Sequence, residues 1–331
     1  MLKPTVKIAI VLTVKNEVRL LRNNLLYHKA IGVDRAFVYF DNTTDKGKES
    51  IADLDFVNTS NSVSTEKYAS LPYLKKFTSQ AVEHHTARQC LNTYDAQVKC
   101  KEEGIDWLIS IDADELICTD FEMPSNLKSF FNAIPNDTEL VDFRTLEVLQ
   151  QKERYNNVFA EESNFKVNKQ VFYLSIKNPF TKSKQKFPWW YGHTMGKSAI
   201  RIDSNLIPHN VHRYKHIDGA SPNRVVKGNV LHYHAYDAED FIKKFTNFSD
   251  HPDVFLSGNK VEDLKLLLRD VVNNSGMSRQ QLECYFKENL MFTAKQVRKF
   301  KSGRKYFFKK IDPKPLQLVE SVVETFKQLN Y

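Results

Sequence analysis

Ile105-Asp-Trp-Leu-Ile-Ser-Ile-Asp-Ala-Asp-Glu-Leu-Ile-Cys118 joins a short apolar run to three carboxylates within four residues. Trp107, Leu108, Ile109 and Ile111 have the pattern of a strand covered on both faces, as in a parallel sheet flanked by helices. Asp112, Asp114 and Glu115 follow at once. In an open α/β sheet, ligands bind just beyond the carboxyl ends of the strands, so acids at that edge are placed to hold a divalent metal and a phosphate ester. The competing reading is a solvated loop with an acidic helix cap. Asp-x-Asp alone recurs by chance, so the rest of the chain must decide.

Upstream, residues 6–14 are β-branched and apolar enough for a central parallel strand. Asn16 is expected to cap a helix over residues 17–30, with Leu20, Leu21, Asn24, Leu25 and His28 near one side and Gly32 at its stop. A second strand over 36–40 runs into Asp41-Asn42-Thr43-Thr44-Asp45. Strand, helix, strand with polar residues at both strand ends is half a nucleotide-binding fold. Neither G-x-G-x-x-G nor G-x-x-x-x-G-K occurs, which argues against a dinucleotide or P-loop site. Residues 58–76 read as irregular. A long helical pattern over 78–103, ended by Gly104, delivers the chain into the Trp107 strand. Pro124 and Ser125 open a short helix, and residues 139–148 alternate as a further strand.

The second half changes character. Residues 164–187 hold six lysines and no acid, with a strand over 171–176. Pro188-Trp-Trp-Tyr-Gly-His193 is an aromatic cluster in a loop; core packing is the commoner explanation, stacking on a sugar ring the functional one. Strands follow over 196–201, 206–211 and 228–234. Seven of the ten histidines lie between positions 193 and 251. His232 and His234 share one side of a strand and Tyr233 takes the other, so the pair can supply a metal ligand, against the default of core histidines. Helices then run over 237–248 and 261–274, and Ser278 with Gln281 forms a capping box for a third.

With 331 residues, 41% hydrophobic and 27% charged, the chain is of ordinary globular composition and can bury a substantial core. No apolar run approaches the roughly 18 to 20 residues that span a bilayer. Lys3 and Lys7 before Ile8-Ala-Ile-Val-Leu12 only imitate a signal peptide, since the run passes straight into Lys15-Asn16-Glu17. Cys90, Cys100, Cys118 and Cys284 form no C-x-x-C pair, which argues against a zinc module or disulfide scaffold and fits a reducing, cytoplasmic compartment. The net charge of +8 is local: residues 295–310 carry eight basic side chains and no acid, equal to the whole excess. Interleaved Phe300, Tyr306, Phe307 and Phe308 suit an anionic membrane surface, with nucleic acid as competing partner and a solvated basic helix as the plain alternative.

Thr13-Val-Lys-Asn-Glu17, Tyr27-His-Lys-Ala-Ile-Gly-Val33, Val38-Tyr-Phe-Asp-Asn-Thr-Thr-Asp45 and Trp107-Leu-Ile-Ser-Ile-Asp-Ala-Asp-Glu115 together resemble the family 2-type glycosyltransferases of the GT-A fold. Nearest is the bacterial "glycosyl transferase family 2" subgroup with an Asp-Ala-Asp-Glu motif, which is also similar to family 92. Gly196-Lys197-Ser198 and Leu231-His-Tyr-His234 resemble it less specifically. The fold implied is an α/β mixed sheet flanked by helices, with a catalytic domain over 1–235 and a helical region over 236–331. Residues 1–120 would form its nucleotide-binding half and 121–235 its acceptor and metal-completing half.

The resemblance implies roles. Thr13, Asn16 and Glu17 would line the nucleotide pocket, and Asp41 would bind the base. Asp114 would ligate Mn²⁺ or Mg²⁺ directly. Asp112 would contact the sugar or ribose, or the metal. His232 or His234 would complete the metal shell. Lys197 or Arg201 would add to the diphosphate clamp, the alternative for Lys197 being an ordinary strand-edge lysine. The implied donor is a nucleotide sugar, UDP-linked, and the acceptor a saccharide or lipid-linked sugar. Such enzymes usually invert, which requires a carboxylate base; Glu147 is the first candidate and Asp237 the second. One rival is a sugar-nucleotide nucleotidyltransferase, which would need a Gly-rich basic loop that Thr13-Val-Lys-Asn-Glu17 lacks. The other is a polyanion-binding protein; no nucleic-acid motif accompanies the charge, so nucleic acid is not the expected partner.

Overall fold

The computed structural model describes residues 5–167, 173–188, 194–301 and 315–329. All but Pro188 of the expected aromatic cluster over 188–193, and most of the basic segment over 295–310, lie outside those residues.

β1 (Ile8–Val14) is apolar on both faces and sits inside the sheet. It pairs in parallel with β2 (Arg35–Phe40) after α1 (Leu21–Ala30). That helix starts later than residue 17, and Asn16 does not cap it. Asn16 adopts a left-handed backbone, φ 57°, and its Oδ1 accepts from the backbone N–H groups of Thr44 and Asp45. Its side chain thus ties together two strand-end loops 28 residues apart in sequence instead. The stretch expected to be irregular contributes β3 (Val57–Asn61), parallel to β2, and α2 (Lys75–Thr78). α3 (His85–Glu102) therefore also begins later than residue 78, and Gly104 at φ +64° ends it.

β4 (Trp107–Ser110) pairs in parallel with the other edge of β1, Ile8 opposite Trp107 and Val11 opposite Ser110. A tight turn follows, and the chain returns as β5 (Glu115–Cys118). α4 (Leu127–Asn132), capped by Asn126, precedes β6 (Leu140–Val148), α5 (Val158–Glu161) and β7 (Asn164–Lys166). β8 (Tyr173–Lys177) and β9 (Lys184–Pro188) form a separate hairpin. β10 (Lys197–Arg201) inserts antiparallel between β4 and β6. β11 (Ile207–Asn210) and β12 (Arg213–Lys215) make a small ribbon, and β13 (Arg224–His232) joins β6 in parallel and β5 antiparallel.

α6 (Ala238–Asn247), α7 (Asp263–Asn274), α8 (Arg279–Asn289) and α9 (Ala294–Lys301) follow. Phe241, Phe245, Leu268 and Phe286 of these helices share an apolar cluster with Leu149 beyond β6 and with Leu174 and Ile176 of β8. The chain then returns: β14 (Leu316–Leu318) pairs antiparallel with β7, and α10 (Ser321–Gln328) stacks Phe326 against Tyr27, centroids 6.0 Å apart. The result is a ten-stranded mixed sheet ordered β14-β7-β6-β10-β4-β1-β2-β3, with β13 and β5 branching from β6. Among the described residues no helix is long and apolar enough to cross a membrane.

Candidate functional site

The parallel strands β1, β2 and β4 end on one edge of the sheet, and the polar residues singled out in the sequence lie there. Asp112 and Asp114 occupy the turn between β4 and β5. Glu115 is fully buried and its Oε2 accepts from the Asp112 backbone N–H at 2.8 Å, which fixes the turn from inside. Asn24 of α1 secures it further, donating to the carbonyls of Ala113 at 3.0 Å and Glu115 at 2.7 Å.

Asp112 accepts from Lys197 Nζ at 2.8 Å and from Gln89 Nε2 at 2.6 Å. Lys197 is wholly buried and also lies 3.4 Å from Glu115. Burial disfavours its charge, but Asp112 and Glu115 outweigh that and raise its pKa. Lys197 is thus a buried cation on the first acid of the motif, not a strand-edge lysine.

Asp114 is nearly buried. His232 Nε2 lies 3.2 Å from its Oδ2, and the Lys244 ammonium of α6 pairs with the same oxygen. Burial pushes the Asp114 carboxyl up, yet Lys244 and His232 hold it well below the usual carboxylate range. His232 Nδ1 lies 2.7 Å from Glu147 Oε1 on the adjacent strand β6. Burial would lower the imidazole, but Glu147 and Asp114 lift it to about 10. His234, two residues on, has its ring 5.3 Å from that of His232, while Tyr233 turns away to pack on Phe159 and Phe165. Burial, then Lys244 and His232, keep His234 neutral. Ligand atoms of Asp114, His232 and His234 all lie within 4.8 Å of one another. A buried carboxylate, a neutral imidazole and a second imidazole oriented by Glu147 fit a divalent ion, the outer carboxylate setting which ring nitrogen faces inward.

At the end of β1, Thr13 Oγ1 accepts from Asn92 at 3.0 Å, and Glu17 pairs with Lys243 at 2.6 Å. Burial raises Glu17 to about 7 against the opposing pull of Lys243. Beyond β2, Asp41 is gripped by Arg88 at both oxygens, 2.7 and 2.9 Å, and accepts from Ser62 at 3.0 Å. Asp41, Ser62 and Arg88 border a cleft of about 540 Å³ between the ends of β2 and β3.

Neither candidate base opens onto that cleft. Glu147 is 2% exposed and holds His232. Asp237 is fully buried, caps α6 by accepting from Asp240 N at 2.9 Å, and pairs with Arg19 at 2.8 Å. Arg201 lies against the Trp107 ring and donates to the carbonyls of Thr138 and Pro135, away from the acids. Sequence reasoning passed over Arg88, Gln89, Asn92 and Lys244. The first three repeat at helical spacing on α3, a polar stripe inside an otherwise amphipathic pattern that was legible in principle. Lys244 carried no such mark.

A mixed sheet flanked by helices, with Asp112 and Asp114 in the turn after its parallel strand β4, defines the GT-A class of fold. The model of glycosyltransferase family 92 matches residues 8–259, and the chain belongs to that family. Two glycosyltransferase-like proteins of Arabidopsis thaliana are similar to it. One is 26% identical over 226 residues, 63% of this chain and 49% of its own length. The other is 30% identical over 153 residues, 44% of this chain and 29% of its own. The chain therefore spans about half the length of the first relative and under a third of the second. Among solved structures, S. aureus TarS 1-349 in complex with UDP is 12% identical with a TM-score of 0.33, covering 83% of this chain and 73% of that one. Glucosyl-3-phosphoglycerate synthase of Mycobacterium tuberculosis, in complex with Mn²⁺, UDP and glucosyl-3-phosphoglycerate, is 13% identical with a TM-score of 0.32, covering 76% and 82%. Likenesses at that level decide nothing about this site.

Proposed function

We propose that the protein transfers a sugar from a nucleoside diphosphate donor, UDP-linked, to a saccharide or lipid-linked acceptor, with a divalent metal and inversion at the anomeric carbon. The observation that carries this reading is the convergence of Asp112, Asp114, His232, His234 and Lys197 beyond the carboxyl ends of the parallel strands. In it Asp41 and the cleft beside Arg88 receive the nucleoside, while Thr13 and Asn16 shape the neighbouring wall. Lys197 pairs with Asp112 and orients it toward the ribose or sugar. Asp114, His232 and His234 hold the metal, and Glu147 orients His232. One carboxylate oxygen with two imidazole nitrogens suits Mn²⁺ better than the oxygen-preferring Mg²⁺. When bound, such an ion supplies positive charge for the diphosphate as it leaves. Glu147 and Asp237 take positioning roles in this reading, since each is buried against its own partner.

Calorimetry of UDP with and without Mn²⁺, on the parent and on Asp114→Ala, tests it. We expect metal-dependent UDP binding in the parent and its loss in the variant. Absence of binding by both UDP and GDP with metal present would sink the donor assignment.

A further inference from the structure

Asp114 already carries a cation. Lys244, on α6, sets its ammonium on Oδ2 of Asp114, the oxygen that His232 Nε2 faces at 3.2 Å. That carboxylate is also a member of the group whose ligand atoms lie within 4.8 Å of one another. An ion bound among those atoms and an ammonium on the same oxygen would bring three positive charges into a few ångströms at a nearly buried site, where charge repulsion is weakly screened.

The ammonium is held there by more than its own pairing. Asp237 caps α6 and is anchored by Arg19. Lys243, next in the chain, bridges Glu17 at 2.6 Å and Asp240 at 2.8 Å. Asn247, on the last turn of the helix, donates to the Lys15 carbonyl at 3.2 Å. These contacts fasten one face of α6 to the end of β1, directly above the acid turn. With Lys197 on Asp112, both acids of the Asp-x-Asp motif are neutralised by the chain itself.

We propose that Lys244 is a built-in competitor of the divalent ion at Asp114: its ammonium must leave Oδ2 for the ion to bind, so the seating of α6 sets metal affinity. This rests on the reading that Asp114, His232 and His234 form the metal site. It makes metal occupancy an exchange of cations instead of the filling of an open cage. It also gives the helix that follows the histidine pair a part in site chemistry that its packing role does not require.

Electron paramagnetic resonance of free Mn²⁺, titrated with the full chain, measures the affinity without reference to turnover. Lys244→Met is expected to bind Mn²⁺ about tenfold or more tightly than the parent, a difference of one decade in Kd. Mn²⁺ should also raise the Tm of Lys244→Met by more than it raises that of the parent, because the Asp114 carboxylate then keeps His232 alone as its cationic partner. Lys287→Met, which removes an exposed lysine of α8 paired with Glu153, should bind like the parent. If Lys244→Met does not fold, Lys244→Gln carries the same comparison, keeping a donor for Asp114 without the charge. Equal affinities in the parent and the Lys244 variant overturn the competition while leaving the metal site standing. Mn²⁺ binding by neither protein overturns the metal reading and this inference with it.

Discussion

His28 is buried on α1, far from solvent, yet it supports the acid turn. Its Nδ1 lies 2.8 Å from the Asn24 carbonyl, and its Nε2 accepts from the Ile117 backbone N–H at 3.2 Å. An N–H aimed at Nε2 requires that nitrogen to be unprotonated, so the neutral ring is the one that fits. Burial accordingly lowers the pKa to about 4, from an ordinary 6.5. A base with a depressed folded pKa stabilises the protein above pH 6.5, and that contribution is lost as pH falls through 4. The loss amounts to about 3 kcal/mol, from the size of the shift. NMR titration of the His28 ring should give a pKa near 4, with urea stability falling across pH 6.5 to 4. A ring titrating at 6 or above would refute the buried neutral state. Asn24, which shares His28's hydrogen bonds, donates to the carbonyls of Ala113 and Glu115, so protonation would reach the acids.

At the scale of elements, the seating of β10 decides whether Lys197 meets Asp112. Gly196 enters that strand at φ +72°, and a Cβ built there would stand 2.0 Å from the Phe143 carbonyl oxygen of β6. Neither the conformation nor the close approach tolerates a side chain. Gly196→Ala should therefore push β10 away from β6, at a cost of about 2 to 4 kcal/mol, and weaken UDP binding by displacing Lys197. Urea denaturation with UDP calorimetry checks both, and an unchanged midpoint with unchanged affinity would show that the strand entry is not strained by a methyl group. Elements carrying their own local signals were legible in the sequence: the apolar runs of β1 and β4, the Gly104 stop of α3, and the Ser278 to Gln281 capping box, all observed. β3 was missed because Val57–Asn61 is polar and half-exposed; it is a strand through its pairing with β2, not its own pattern. Asn16 was misread because the loop beyond β2, distant in sequence, offers its side chain better donors than the helix start does.

Over the whole molecule, the end of the chain completes the sheet and core built by its beginning. Phe326 of α10 is fully buried and stacks on Tyr27 of α1 and on Phe159 of α5, at 6.0 and 6.1 Å. Phe326→Ala should cost about 3 to 5 kcal/mol, as for a large aromatic removed from a packed core. A loss below about 1 kcal/mol in urea denaturation would mean that α10 unfolds separately from the sheet. Local patterning alone determined that this chain forms an α/β sheet with acids at the carboxyl edge, because strand burial, helix periodicity and the Asp112-Ala-Asp114 spacing are properties of neighbouring residues. Which cation each acid meets was decided only by tertiary structure. Lys197 reaches Asp112 from a strand inserted antiparallel beside β4, and Glu147 reaches His232 across a strand pair. Lys244 reaches Asp114 from α6, the helix that follows β13, and no short-range pattern encodes a partner that many residues away.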